Sequence, residues 1–150
     1  MKHKIIISEK TFEKARKKIR ENSDKEIIFS SFDDELNRKI LEKEKIDILL
    51  ISLLNRQDFS KQRNSGFNQV LAKIAKKQNI VIGINLEEVI NSNENEKAKI
   101  LARIKQNIKL CNKNKLKMKF ISPTKIKRNI YDLKSLGLVL GMPTWMVKDL

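Results

Sequence analysis

Six short apolar runs recur along the chain, starting 19 to 38 residues apart, and each is apolar at consecutive rather than alternate positions. They occupy residues 4–7, 26–30, 47–53, 80–86, 118–122 and 137–141. A strand covered on both faces has this pattern, and the gaps between runs leave room for a helix. The arrangement predicts parallel strands in successive βα units. The expected fold class is therefore α/β.

Helical stripes fill the gaps. Phe12, Ala15 and Ile19 share one face after Ser8, which is placed to cap that helix with Glu9 in its first turn. Phe67, Val70, Leu71, Ile74 and Ala75 form a second stripe. The clearest covers residues 96–114, where Ile100, Leu101, Ile104, Ile108 and Cys111 lie on one face and Lys99, Arg103, Lys105, Lys109 and Lys113 on the other. Cys111 is thus expected to be a buried core thiol.

With 150 residues, no linker rich in glycine or proline, and Pro123 and Pro143 as the only prolines, one domain over residues 1–150 is expected. A hydrophobic fraction of 40% excludes a disordered polyelectrolyte, and no run approaches the length of a membrane span. The N-terminal segment has three consecutive apolar residues before charge returns, too few for a secretory signal. A lone cysteine allows no internal disulfide, so a soluble, cytoplasmic protein with no membrane partner is expected.

The net charge of +15 is concentrated. Residues 1–58 carry 14 basic and 12 acidic side chains, whereas residues 59–150 carry 19 and 6. Residues 97–128 hold 12 Lys or Arg and no Asp or Glu. That asymmetry suits a polyanion partner. The alternative source is a genome biased toward Lys, Asn and Ile, which the 26 Lys, 14 Asn and 21 Ile would also fit.

Protein-based catalysis finds little support. The four glycines, Gly66, Gly83, Gly137 and Gly141, are too scattered for a phosphate-binding loop. The only histidine, His3, stands in a lysine-rich terminus, so a histidine metal site and a His-activated nucleophile are both excluded. The carboxylate pairs Asp33/Asp34 and Glu87/Glu88 lie at helix starts, where capping is their expected task. Catalytic residues and metal ligands are expected to be absent.

Parallel α/β folds gather function on the loops after the C-terminal ends of strands. Here those loops are basic. The first carries Arg56, Lys61 and Arg63, with Asn64 and Ser65 as donors; the second carries Lys125, Lys127 and Arg128 beside Thr124. Both should open at the same end of the sheet, suited to phosphate. Aromatic residues are few and do not alternate with basic ones, so recognition of a folded RNA by backbone and shape is expected rather than a base-stacking platform.

From Asp47 onward the chain resembles the ribonuclease P protein component 3 family, whose fold is a barrel like that of the polymerase and histidinol phosphatase superfamily. The resemblance rests on ordered segments. Asp47-Ile48-Leu49-Leu50-Ile51-Ser52 is followed by Arg56 and Asp58 of an Arg-x-Asp loop, then Ser65-Gly66 and Val70-Leu71-Ala72-Lys73-Ile74-Ala75. Next come residues 79–86, Lys97-Ala98 where the family has Arg-Ala, and Phe120-Ile121-Ser122. Asp132-Leu133-Lys134-Ser135-Leu136-Gly137 and Gly141-Met142 close the match.

The resemblance implies a non-catalytic subunit of the enzyme that removes tRNA 5′ leaders, binding ribonuclease P RNA and pairing with ribonuclease P protein component 2. Precursor tRNA would be met through the complex. No cofactor is expected on this chain, and Mg²⁺ is expected on the RNA subunit, where hydrolysis would occur. Arg56, Lys61, Arg63, Lys97, Lys125, Lys127 and Arg128 are the expected RNA-binding residues.

The chain also departs from the family pattern. Gln69 replaces a His, Glu87-Glu88 replace Arg-Pro, Gln57 replaces a basic residue, and Tyr131 stands for an Arg. Residues 59–64 look inserted, and the loop after Ser122 looks shortened. Counted against the family's eight strands, the six runs start at about the third. An open TIM-like barrel is expected, its edges covered by termini, a second copy or the partner, with Lys2, His3 and Lys4 guarding the first edge. The competing functions are a stand-alone metal-dependent phosphoesterase and a general RNA-binding chaperone.

Overall fold

Every apolar run but the last forms a strand. The computed structural model describes residues 2–124 and 126–150. Its elements follow the order β1 (Lys4–Ile7), α1 (Phe12–Glu21), β2 (Glu26–Ser31), α2 (Asp34–Lys43), β3 (Ile48–Ile51) and α3 (Gln69–Lys77). They continue with β4 (Val81–Asn85), α4 (Leu86–Asn91), α5 (Glu94–Lys113), β5 (Met118–Ile121), α6 (Ile130–Leu140) and α7 (Thr144–Lys148). The sheet is parallel throughout, each strand bonded to the next in sequence. Right-handed crossovers in such an order keep the connecting helices on one face.

The two faces have different cores. Ile27, Phe29, Leu49, Ile51, Ile82, Ile84 and Met118 belong to one buried cluster with helix residues such as Ala15, Ile40, Ala72, Ile104 and Cys111. The opposite face carries Ile28, Ile48, Leu50 and Ile121, buried among strand residues alone. They are shielded because the sheet rolls. Gly83 lies at the centre of that concave face, where a Cβ would stand 3.0 Å from Ile48, 3.1 Å from Leu50 and 3.2 Å from Ile121. Its missing side chain lets its neighbours close over it.

The roll stops short of closure. Among the described residues β1 bonds only to β2 and β5 only to β4, and a cleft of about 520 Å³ between the outer strands is lined by Lys4, Ile5, Ile6, Phe120 and Ile121. The result is an open, partial TIM-like barrel of five strands.

Two sequence expectations are corrected. Residues 137–141 form the last turn of α6 and its cap, not a sixth strand. Leu133, Leu136, Gly137 and Leu140 recur at helical spacing, and Asn129 caps the start through the Tyr131 N–H. Gly141 ends the helix at a left-handed φ of 100°, and the Met142 N–H bonds back to the Gly137 carbonyl at 2.9 Å. A short run apolar at consecutive positions fits a buried strand and a helix segment equally well, so periodicity alone does not place it. Helix α1 is capped by Thr11 rather than Ser8, and Glu9 instead pairs with Lys18. Among the described residues no helix is long and apolar enough to cross a membrane.

Candidate nucleic-acid interface

The long connection from β3 to α3 carries Arg56, Lys61 and Arg63. A loop of this length needs partners for its carbonyls and charges before it can hold a shape. Arg103 of α5 supplies three of them. Its side chain is 1% exposed and donates to the Leu53 carbonyl at 3.0 Å, the Arg56 carbonyl at 2.7 Å and Asp58 Oδ1 at 3.2 Å. Glu96 stands 3.6 Å from it on the same helix. The charge of Arg103 predicts a place on the solvent face, and the structure corrects this. Its position, three residues after Ile100 and four before Asn107, is on the buried stripe, and loop carbonyls there satisfy its donors.

Asp58 is the other half of this knot. It accepts from the Asn64 N–H at 2.9 Å and also meets Arg63 at 3.4 Å. The Asn64 hydrogen bond first, and Arg103 with it, holds the Asp58 carboxyl below the usual carboxylate range.

Arg56 differs from expectation. Its guanidinium grips Asp34 of α2 with both forks, at 2.8 and 2.9 Å, while Nε donates to the Ser52 carbonyl at 2.6 Å. The side chain is 8% exposed. Its fork is thus occupied by a carboxylate of this chain rather than held open for a phosphate. Gly66 makes room for it, since at φ +67° a Cβ would lie 2.4 Å from Arg56 Nη2.

The second basic loop is tied to α4. Glu87 accepts from the Ser122 hydroxyl at 2.6 Å and the Thr124 hydroxyl at 3.0 Å, with Arg128 at 3.8 Å. The two hydroxyl bonds and Arg128 lower its pKa. Glu88, buried, accepts from the Ser52 hydroxyl at 2.6 Å and the Leu53 N–H at 2.9 Å. Capping is therefore left to Asp33 for α2 and to Asn85 for α4, and Asp34, Glu87 and Glu88 act as loop anchors instead.

Among the described residues, Lys61 and Arg63 follow the C-terminal end of β3, and Lys127 and Arg128 that of β5. Lys61 and Lys127 are exposed. Arg63 and Arg128 are partly held by Asp58 and Glu87. Lys97 follows Glu96, whose carboxylate accepts from the Asn55 N–H at 3.1 Å, so it stands where the first loop meets α5. Lys125 lies outside the described residues. Cys111 is buried as expected, and burial pushes its thiol up to about 12. Among the described residues no three His, Cys, Asp or Glu side chains gather into a group able to hold a metal ion.

No protein-family model matches the chain. Curated relatives do. Ribonuclease P protein component 3 of Methanococcus maripaludis (strain C7) is 30% identical over 132 residues, 86% of this chain and 51% of that protein. Ribonuclease P protein component 3 of Methanosarcina mazei is 34% identical over 100 residues, 67% of this chain and 38% of that protein. The chain belongs to the ribonuclease P protein component 3 family. It spans about half the length, or less, of these relatives. Its fold also matches a chain of the cryo-EM structure of archaeal ribonuclease P with mature tRNA, with a TM-score of 0.80 and 23% identity, over 97% of this chain and 62% of that one.

The positions that the resemblance to component 3 marks as departures have a setting in the structure. Gln69 exchanges two amide hydrogen bonds with Asn114, the residue that caps α5, at 2.8 and 3.1 Å. Glu87 and Glu88 clip the two loops as described. Tyr131 is exposed.

Proposed function

We propose that this chain is a non-catalytic protein subunit of ribonuclease P, binding the catalytic RNA through the basic loops at the C-terminal end of its strands. Its kinship with ribonuclease P protein component 3 carries the reading. On this reading the RNA, with its Mg²⁺, performs the hydrolysis that removes tRNA 5′ leaders. The chain works beside ribonuclease P protein component 2 in the cytoplasm and meets precursor tRNA through the complex. Lys61, Arg63, Lys97, Lys125, Lys127 and Arg128 contribute phosphate contacts. Arg56, whose fork holds Asp34, contributes by shaping the loop.

The test is binding of ribonuclease P RNA from a methanogen against an unrelated structured RNA at matched salt. Preferential binding is expected, with affinity falling steeply as salt rises, by a slope of roughly −0.7 to −0.9 per phosphate neutralised. Replacing Lys125, Lys127 and Arg128 with Ala should flatten that slope. Equal affinity for both RNAs would make the chain a general chaperone, and Mg²⁺-dependent cleavage by the protein alone would make it a phosphoesterase.

A further inference from the structure

Between the β3–α3 loop, the first turns of α2 and α3, and one face of α5 lies a cavity of about 690 Å³, within the range that holds small ligands. Three kinds of group meet on its wall. Phe59, 59% exposed, offers an aromatic ring. Lys109 and Lys113 offer cations from α5, on which no acidic residue follows Glu96. Gln62 offers a side-chain amide.

A site for phosphate alone has no use for the ring, and an apolar peptide has none for the lysines. A nucleotide uses all three: a flat face to stack, a phosphate to neutralise and a base edge to hydrogen-bond. The α2 wall carries both signs of charge, with Asp34 held by Arg56 and Arg38 held by Glu42. Glu35 on that wall faces Lys109 and Lys113 on the other, so an anion is drawn toward α5.

The cavity wall is also built in advance. Phe59 directly follows Asp58, which Arg103 and the Asn64 N–H fix. Gln106 donates to the Arg63 carbonyl at 3.1 Å and the Ser65 hydroxyl at 3.2 Å, and Asn107 donates to the Ser65 carbonyl at 3.3 Å. The loop backbone is held while the ring projects from it. An exposed ring on a fixed backbone is ready to stack without ordering the chain first.

We propose that this cavity receives one unpaired nucleotide of an RNA, its base on the Phe59 ring and its phosphate toward Lys109 and Lys113. The proposal rests on the RNA-binding reading above and adds a single-nucleotide clamp to contacts otherwise made to backbone and shape.

A mixed-sequence single-stranded hexaribonucleotide is the probe, with a blunt RNA duplex of the same sequence and methanogen ribonuclease P RNA as comparators. The hexamer should bind better than the duplex, and ultraviolet crosslinking should map to the peptide containing Phe59. Phe59→Ala should weaken hexamer binding roughly five- to hundredfold. Because the ring is exposed, the melting temperature of this variant should match that of the parent, and Phe59→Trp should retain the affinity. Lys109→Ala with Lys113→Ala should reduce the salt slope by about 0.7 for each phosphate that is no longer neutralised. Unchanged hexamer affinity in Phe59→Ala overturns the clamp. So does binding of ribonuclease P RNA with no binding of the hexamer, which leaves the subunit reading intact. Failure to bind either RNA overturns both. If Phe59→Ala abolishes association with another protein while hexamer affinity is kept, the cavity is a protein interface and the clamp is overturned as well.

Discussion

Two arginines hold the first basic loop by different means. Arg56 reaches outward to Asp34, 22 residues earlier in the chain, whose side chain is 43% exposed. Lysine cannot match a two-forked grip on one carboxylate plus a bond to the Ser52 carbonyl. Arg56→Lys is therefore expected to cost about 1–2 kcal/mol, discounted for the exposed partner, and to lower the melting temperature by about 2–4 °C per kcal/mol in a thermal scan. An unchanged melting temperature would return Arg56 to the phosphate-gripping task. Arg103 reaches inward and is itself buried, with the buried Leu53 carbonyl among its partners and Asp58 at the exposed end. Arg103→Met keeps the volume but strands the Leu53 and Arg56 carbonyls, so a loss of about 2–4 kcal/mol is expected in urea denaturation.

At the scale of elements, the two basic loops depend on carboxylates whose protonation is linked to order. Asp58 and Glu87 both have folded pKa values below those of an unfolded carboxylate, Asp58 chiefly through the Asn64 N–H and Glu87 chiefly through the Ser122 hydroxyl. The sign follows from proton binding. The unfolded chain takes up the proton first, so their contribution is complete above the ordinary carboxylate range and is lost as pH falls through the lowered folded values. Amide signals of residues 53–66 and 122–124 should broaden in that acid window while those of β3 persist. Asp58→Asn should remove the pH dependence from the first loop only. If both loops kept their signals through the acid window, these anchors would not be what orders them.

Across the whole molecule the unclosed sheet sets a gradient of stability. β3 lies at the centre, bonded to a strand on each side, and all four of its residues are buried. β1 is bonded to β2 alone, and Ile6 on its concave side is 40% exposed. Hydrogen exchange should therefore be slowest at Ile48–Ile51 and faster by about an order of magnitude or more at Lys4–Ile7. Equal protection of the two strands in the isolated protein would mean that the first edge is covered, by a second copy or by another segment. Sedimentation across a concentration series separates those cases.

What the residues determined alone was local or additive. Burial on both faces shows in consecutive apolar residues, so five parallel strands and the helices α1, α3 and α5 were legible, and charge sums along a chain whatever its fold, so the basic loops were too. Family kinship was legible in ordered short segments. Tertiary structure decided what depends on side chains distant in sequence. Arg103 lies on the buried stripe only because loop carbonyls 47 to 50 residues away meet it there. Arg56 is occupied because α2 brings Asp34 to it, and Glu88 is buried because Ser52 and Leu53 arrive to donate. The run at residues 137–141 became a helix end because Asn129 caps α6 and Gly141 turns left-handed, letting Met142 bond back to Gly137. A charged residue is exposed by default and is buried only where the fold delivers partners that offset its lost hydration.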